Sequence, residues 1–158
     1  MKMTSLCYLE RDDEYLMLHR IFKENDENHG KWIGVGGKFE NGESPEECML
    51  REVKEETGLI PTSYRYRGIV TFALGEYTEY MHLFTASAWE GTLTDCDEGV
   101  LEFKKKSALS SLPMWEGDRI FLELFERETP FFSLKLVYEG DSLISAFLDG
   151  APLPISAP

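Results

Sequence analysis

A chain of 158 residues with 29 acidic and 16 basic side chains, a net charge of −13 and a hydrophobic fraction of 42% suits one domain around one core. Its acidity argues against duplex nucleic acid or an anionic membrane as partner, because both demand a basic face, but a small phosphate ligand stays compatible if metal ions bring positive charge. No run approaches the roughly 20 apolar residues that span a bilayer. The N-terminus MKMTSLCYLERDDEY lacks a signal-peptide core, and Cys7, Cys48 and Cys96 show no disulfide or CxxC spacing, a reduced cytoplasmic pattern.

In chain order, residues 3–9 and 15–19 read as strands around the polar turn Arg11-Asp12-Asp13. Residues 23–31, KENDENHGK, form a polar loop rich in turn formers. A helix over Pro45–Thr57 is marked at both ends. Ser44 is the N-cap, Pro45 opens the first turn, Glu47 completes a capping box and Gly58 supplies the stop. Strands at 66–74 and 80–89 flank GEYTE, and a shorter one lies at 100–103. A second helix fits 116–127, where Ile120/Leu124 and Phe121/Phe125 are i,i+4 pairs. Residues 131–138 and 143–148 enclose the hairpin turn Glu139-Gly140-Asp141. The tail GAPLPISAP, residues 150–158, reads as a flexible end to a domain spanning 1–149. Antiparallel hairpins with two helices predict an α/β sandwich on a mixed sheet.

The first helix carries the chemistry. At about 100° per residue, Met49, Leu50 and Val53 share an apolar side, while Glu52, Glu55 and Glu56 fall together on a neighbouring arc. Carboxylates sharing a face repel and raise one another's pKa. A run of glutamates is ordinarily just a solvated helix face, but a bound hard cation such as Mg²⁺ or Mn²⁺ would also remove the repulsion and bridge to phosphates. The spacing decides between these. Gly37, five residues, Glu43, seven residues, then Arg51-Glu52-Val53-x-Glu55-Glu56-x-Gly58-Leu59 resembles the signature of the Nudix hydrolases at every fixed position. That resemblance implies an α/β/α sandwich and hydrolysis of nucleoside diphosphate derivatives by metal-assisted attack of water. It implies that Glu52, Glu55 and Glu56 bind metal, that Glu55 or Glu56 is the general base, and that Arg51 and Glu43 lock the preceding loop. Gly36 and Gly37 would admit metal and phosphates close to the backbone.

Beyond this signature the chain is similar to the MutT-type branch that clears oxidised purine nucleoside triphosphates such as 8-oxo-dGTP. The resemblance lies in Lys31-Trp32-Ile33-Gly34-Val35-Gly36-Gly37-Lys38, in Asp97-Glu98, in Leu112-Pro113-Met114-Trp115-Glu116-Gly117-Asp118, and in Phe131-Phe132 followed by Lys135. It implies that Glu98 is a further metal ligand, that Lys38 reaches a phosphate, and that Ile33 and Trp115 sandwich a purine whose edge donates to Asp118. Two positions depart from the branch. Ile33 replaces a base-reading asparagine and offers no hydrogen bond, and Gly117 stands where a second acid is expected. His19, His29 and His82 lack ligand spacing, and Cys48 is assigned to packing because thiol suits Mg²⁺ poorly.

Overall fold

The computed structural model describes residues 1–155. Its strands are β1 (Lys2–Arg11), β2 (Glu14–His19), β3 (Trp32–Ile33), β4 (Val35–Lys38), β5 (Leu59–Leu74), β6 (Tyr77–Gly91), β7 (Val100–Lys105), β8 (Phe132–Glu139), β9 (Ser142–Leu148) and β10 (Ala151–Leu153). Helix α1 spans Pro45–Thr57, α2 spans Glu116–Glu126, and a 3-10 helix occupies Lys106–Ser111.

The strands follow the order β10-β9-β8-β5-β6-β1-β2-β3, with β4 also on β1 and β7 also on β2. The sheet is mixed. β1 runs parallel to β6 and β5 parallel to β8, whereas β5–β6, β8–β9, β1–β4 and β2–β7 are antiparallel. Successive side chains of a strand point to opposite faces, and β1 shows the consequence. Tyr8 joins a core with Phe121, Leu122 and Phe125 of α2, while Cys7 and Leu9 join a second core with Met49 and Val53 of α1. One helix therefore covers each face, giving the expected sandwich. Full burial of side chains such as Met49 and Val53 stabilises by about 1.5–3 kcal/mol each, and it fixes the height of α1 over β4 and β1.

Several elements differ from the sequence expectation. β5 begins directly after Gly58, seven residues earlier than residue 66, with register shifts at Pro61/Ser63, Ser63/Tyr64 and Tyr66/Gly68. Those bulges break the period-2 pattern and hide the strand. The turn within GEYTE contracts to Gly75-Glu76, with Gly75 at φ 58°. The tail is not wholly loose, because Ala151–Leu153 pairs with β9. The rest of that expectation, residues 156–158, lies outside the described residues. Among the described residues no helix is long and apolar enough to cross a membrane.

Candidate active site

The site grows from the junction of β4, its following loop and α1. Ser44 accepts from the Glu47 N–H and Glu47 accepts from the Ser44 N–H, so the capping box forms as expected. Gly58 closes the helix in the left-handed region at φ 79°. Arg51 then ties the loop to the helix. Its Nε and Nη2 donate to the two Glu43 oxygens at 2.7 and 2.9 Å, and Nη2 also donates to the Lys38 carbonyl at 2.9 Å. The guanidinium holds the Glu43 carboxyl down to about 2, and Glu43 in turn pushes the Arg51 pKa up. The loop lock read from the sequence is present as a bidentate pair.

The remaining carboxylates divide. Glu52 and Glu55 accept from Arg51 Nη1 at 2.7 and 3.3 Å. Glu56 instead accepts from the Gly36 N–H at 3.2 Å. Burial, followed by the charge of Glu98, pushes the Glu56 carboxyl up to about 9. Burial raises Glu52 as well, against the opposing pull of Arg51. Glu98 is held by Arg20, whose Nη1 donates at 3.0 Å, on a loop pinned by the Cys96–Gly99 bridge. Among the described residues no three His, Cys, Asp or Glu side chains converge into a finished metal cage. Arg51 draws two of the glutamates to itself, and Glu56 turns toward β4. The donor set nevertheless fits a hard divalent cation. It is all oxygen, and burial and mutual repulsion push the Glu52 and Glu56 carboxyls up, a penalty that a bound cation would relieve.

Glycines bring the backbone into this set. A Cβ on Gly37 would lie 2.5 Å from the Glu52 carboxyl, and one on Gly36 would lie 1.9 Å from the Ser5 carbonyl oxygen. Gly36 and Gly37 also line a cleft of about 150 Å³ with Ile33, Trp115 and Asp118. The cleft contains the residues expected to hold a base and ends at the two glycines that touch Glu56 and Glu52, while α1 itself does not line it. Lys38 is not among its walls. It is exposed, and it borders a neighbouring groove with Met1, Phe39 and Glu40.

Trp115 is buried and serves two purposes. It packs edge-on against Phe72 and Tyr138, and its Nε1 donates to Asn28 at 2.7 Å, while Lys31 sits 4.4 Å over its ring. The Trp32 N–H donates to the Pro113 carbonyl at 2.8 Å, which draws the segment before α2 against β3. Asp118, in the first turn of α2, is 6% exposed, and among the described residues its carboxyl takes no side-chain hydrogen bond. Burial pushes it up to about 8. That shift favours a protonated carboxyl, which could donate a hydrogen bond as well as accept one.

Sequence reasoning passed over Asn28, Arg20 and Glu79, which also line the cleft or fix its walls. Asn28 lies in a loop with no motif, and Glu79 is placed by sheet register alone. His82 is buried, packed on Phe39 and hydrogen-bonded to Tyr66, in keeping with a structural role. Cys48 is buried, with its thiol against the Gly37 carbonyl.

Comparison with known proteins agrees with this geometry. Residues 2–125 match the family profile described as the NUDIX domain. The chain is 32% identical over 123 residues to the uncharacterized Nudix hydrolase YvcI of Bacillus subtilis, covering 74% of each chain. It is 30% identical over 122 residues to the oxidized purine nucleoside triphosphate hydrolase of Danio rerio, covering 76% of this chain and 78% of that one. A crystal structure of a MutT protein from Bacillus halodurans superposes with a TM-score of 0.85 at 29% identity, covering 96% of this chain and all of the other. The chain belongs to the Nudix hydrolase family, and its likeness within that family is to MutT-type proteins.

Proposed function

We propose that the protein is a Mg²⁺-dependent nucleoside triphosphate pyrophosphohydrolase, releasing nucleoside monophosphate and pyrophosphate, and that oxidised purine nucleotides such as 8-oxo-dGTP are its preferred substrates. The observation that carries this reading is the single cleft that Gly36 and Gly37 share with Ile33, Trp115 and Asp118. A base held by the latter three points its phosphates toward the carboxylates of α1. In this reading Glu52, Glu55, Glu56 and Glu98 hold the cation, Mn²⁺ being an acceptable substitute. The cation would neutralise charge developing on the phosphates and lower the pKa of water. The chain's own part is to orient the phosphates with the β4 backbone and to take up the proton released when water attacks phosphorus. Glu55 or Glu56 is assigned that second role, with Glu98 auxiliary. A reducing, cytoplasmic setting belongs to the same reading, supported by three buried free thiols.

Base selection follows from the walls. Stacking against Trp115 contributes about 1–3 kcal/mol but is tolerant of base identity. Discrimination falls to polar groups, and Asp118 supplies a donor for a base carbonyl while it remains protonated. The charged groups that bear on it are Glu79, Arg119 and Lys31, with the phenols of Tyr8 and Tyr138 nearby. Its folded pKa lies above its unfolded value of 3.8, near 8, so the donor is present at neutral pH and lost as pH rises through about 8. Affinity for purine triphosphates, read as 1/KM, should fall above that pH, and Asp118→Asn should flatten the fall because the amide donates at every pH.

Stability gives an independent check. Between about pH 4 and 8 the folded chain binds a proton that the unfolded chain releases, so buried Asp118 costs more stability as pH rises. Asp118→Asn should raise Tm by several degrees at pH 8.5 and by little at pH 5. A gain that is equal at both would show Asp118 to be ordinarily ionised.

The substrate assignment is tested by kcat/KM for 8-oxo-dGTP, dGTP, dATP and ADP-ribose at one Mg²⁺ concentration. 8-oxo-dGTP should lead dGTP by a modest factor, and Trp115→Ala should weaken all purines together. A lead for ADP-ribose would overturn the assignment.

A further inference from the structure

One acid stands where strand alternation calls for an apolar residue. On β6 the side chains of Glu79, Met81 and Leu83 share the face turned to α2, and Leu83 and Met81 belong to the core there. Glu79 lies between β1 and β5, opposite Lys2 on one side and Phe72 on the other. Its side chain is 18% exposed. A carboxylate on the inner face of a central strand is costly unless its oxygens are satisfied, and this one is held on both. Thr4 Oγ1 donates to Oε2 at 2.8 Å, the Tyr77 hydroxyl donates to Oε1 at 2.6 Å, and Lys2 Nζ lies 3.8 Å from Oε1.

These anchors leave the acid unfinished. A carboxylate offers about four acceptor sites, two per oxygen, and each hydroxyl uses one of them. One lone pair remains on each oxygen, and Glu79 lines the same cleft as Ile33, Trp115 and Asp118. That is an acceptor pair facing the space assigned to a base.

We propose that Glu79 is a specificity-determining residue that reads the base edge, accepting two parallel N–H bonds from a guanine-type Watson–Crick edge. The inference rests on the reading of this cleft as the nucleotide site. Guanine and 8-oxoguanine present N1–H and N2–H side by side, which matches two fixed oxygens. Adenine presents one N–H beside the N1 lone pair, which the second oxygen repels. The acid that Gly117 lacks on α2 is thereby supplied from the sheet. Burial first, and then the neighbouring Glu79 carboxylate, push the Asp118 carboxyl up, so Asp118 is suited to donate where Glu79 accepts.

The test measures binding of nucleoside monophosphates, which contain the base and need no turnover. Affinities of GMP and IMP are determined by calorimetry for the wild type, Glu79→Gln and Tyr77→Phe, with Mg²⁺ present. IMP retains N1–H and lacks the 2-amino group. The wild type should bind GMP about tenfold more tightly than IMP, in the range of discrimination that a bidentate base contact supplies. Glu79→Gln should weaken GMP about tenfold and bring the GMP/IMP ratio near one. Tyr77→Phe, which loosens one oxygen and leaves the acid in place, should lower the ratio by a smaller factor. Equal affinities of the wild type for GMP and IMP, an unchanged ratio in Glu79→Gln, or equal weakening of both ligands would overturn the proposal. Wild-type turnover of triphosphates is a separate measurement. Its absence would remove the pyrophosphohydrolase reading, while the monophosphate ratio would still decide the role of Glu79.

Discussion

Glu56→Gln is expected to lower kcat by about three orders of magnitude while the fold persists, since charge stabilisation by a catalytic metal is worth several kcal/mol and each 1.36 kcal/mol is tenfold in rate. Glutamine conserves the volume of the side chain and can still accept from the Gly36 N–H, so β4 and α1 keep their contact. What it removes is an oxygen donor that can ionise to hold the cation, next to the β4 backbone. Glu98→Gln should slow the reaction less, because Glu98 approaches from a loop and is already shared with Arg20. Steady-state kinetics beside a thermal melt separate the effects. A folded Glu56→Gln variant with near-normal kcat would sink the assignment of α1 as the metal-binding helix, and a larger loss in Glu98→Gln would move the general base to the loop.

Gly36→Ala comes next in size, and it works through the backbone. Its added Cβ would fall 1.9 Å from the Ser5 carbonyl oxygen, and β1 cannot yield as a flexible side chain would. β4 must move away from β1, carrying Gly37 and the N–H that Glu56 uses. A displacement of about 1 Å in a positioning element costs on the order of 100-fold in rate. A fall of that size in kcat/KM is expected, with a Tm lowered by several degrees. Wild-type kinetics in this variant would mean that the β4 backbone has no part in placing the phosphates.

How much of this could be read from the chain alone varies with the range of the interaction. Helix α1 was legible to the residue because its signals are local: Ser44, Pro45 and Glu47 at one end and Gly58 at the other. The Glu43–Arg51 lock was legible because the motif fixes its spacing. β4 was not read as a strand, since Val-Gly-Gly-Lys has little strand propensity and is held by pairing with β1. The start of β5 was hidden by Pro61 and by bulges. Glu79 could not be found, because its place in the cleft follows from the register of β6 with β1, which lies far away in sequence, as well as with the adjoining β5. The burial of Asp118 was hidden for a similar reason. An acid in a loop-to-helix segment reads as solvated, and only the folded packing buries it and pushes its carboxyl up.

In the proposed function, a base held at Ile33, Trp115 and Asp118 sends its phosphates past Gly36 and Gly37 to the carboxylates of α1, for cleavage within the triphosphate. Phosphorus NMR of 8-oxo-dGTP turnover in Mg²⁺ tests it most directly, because the spectrum identifies the bond that breaks. 8-oxo-dGMP and pyrophosphate should appear in equal amounts, with no orthophosphate. Stepwise release of orthophosphate, or an inert triphosphate beside rapid cleavage of ADP-ribose, would contradict it.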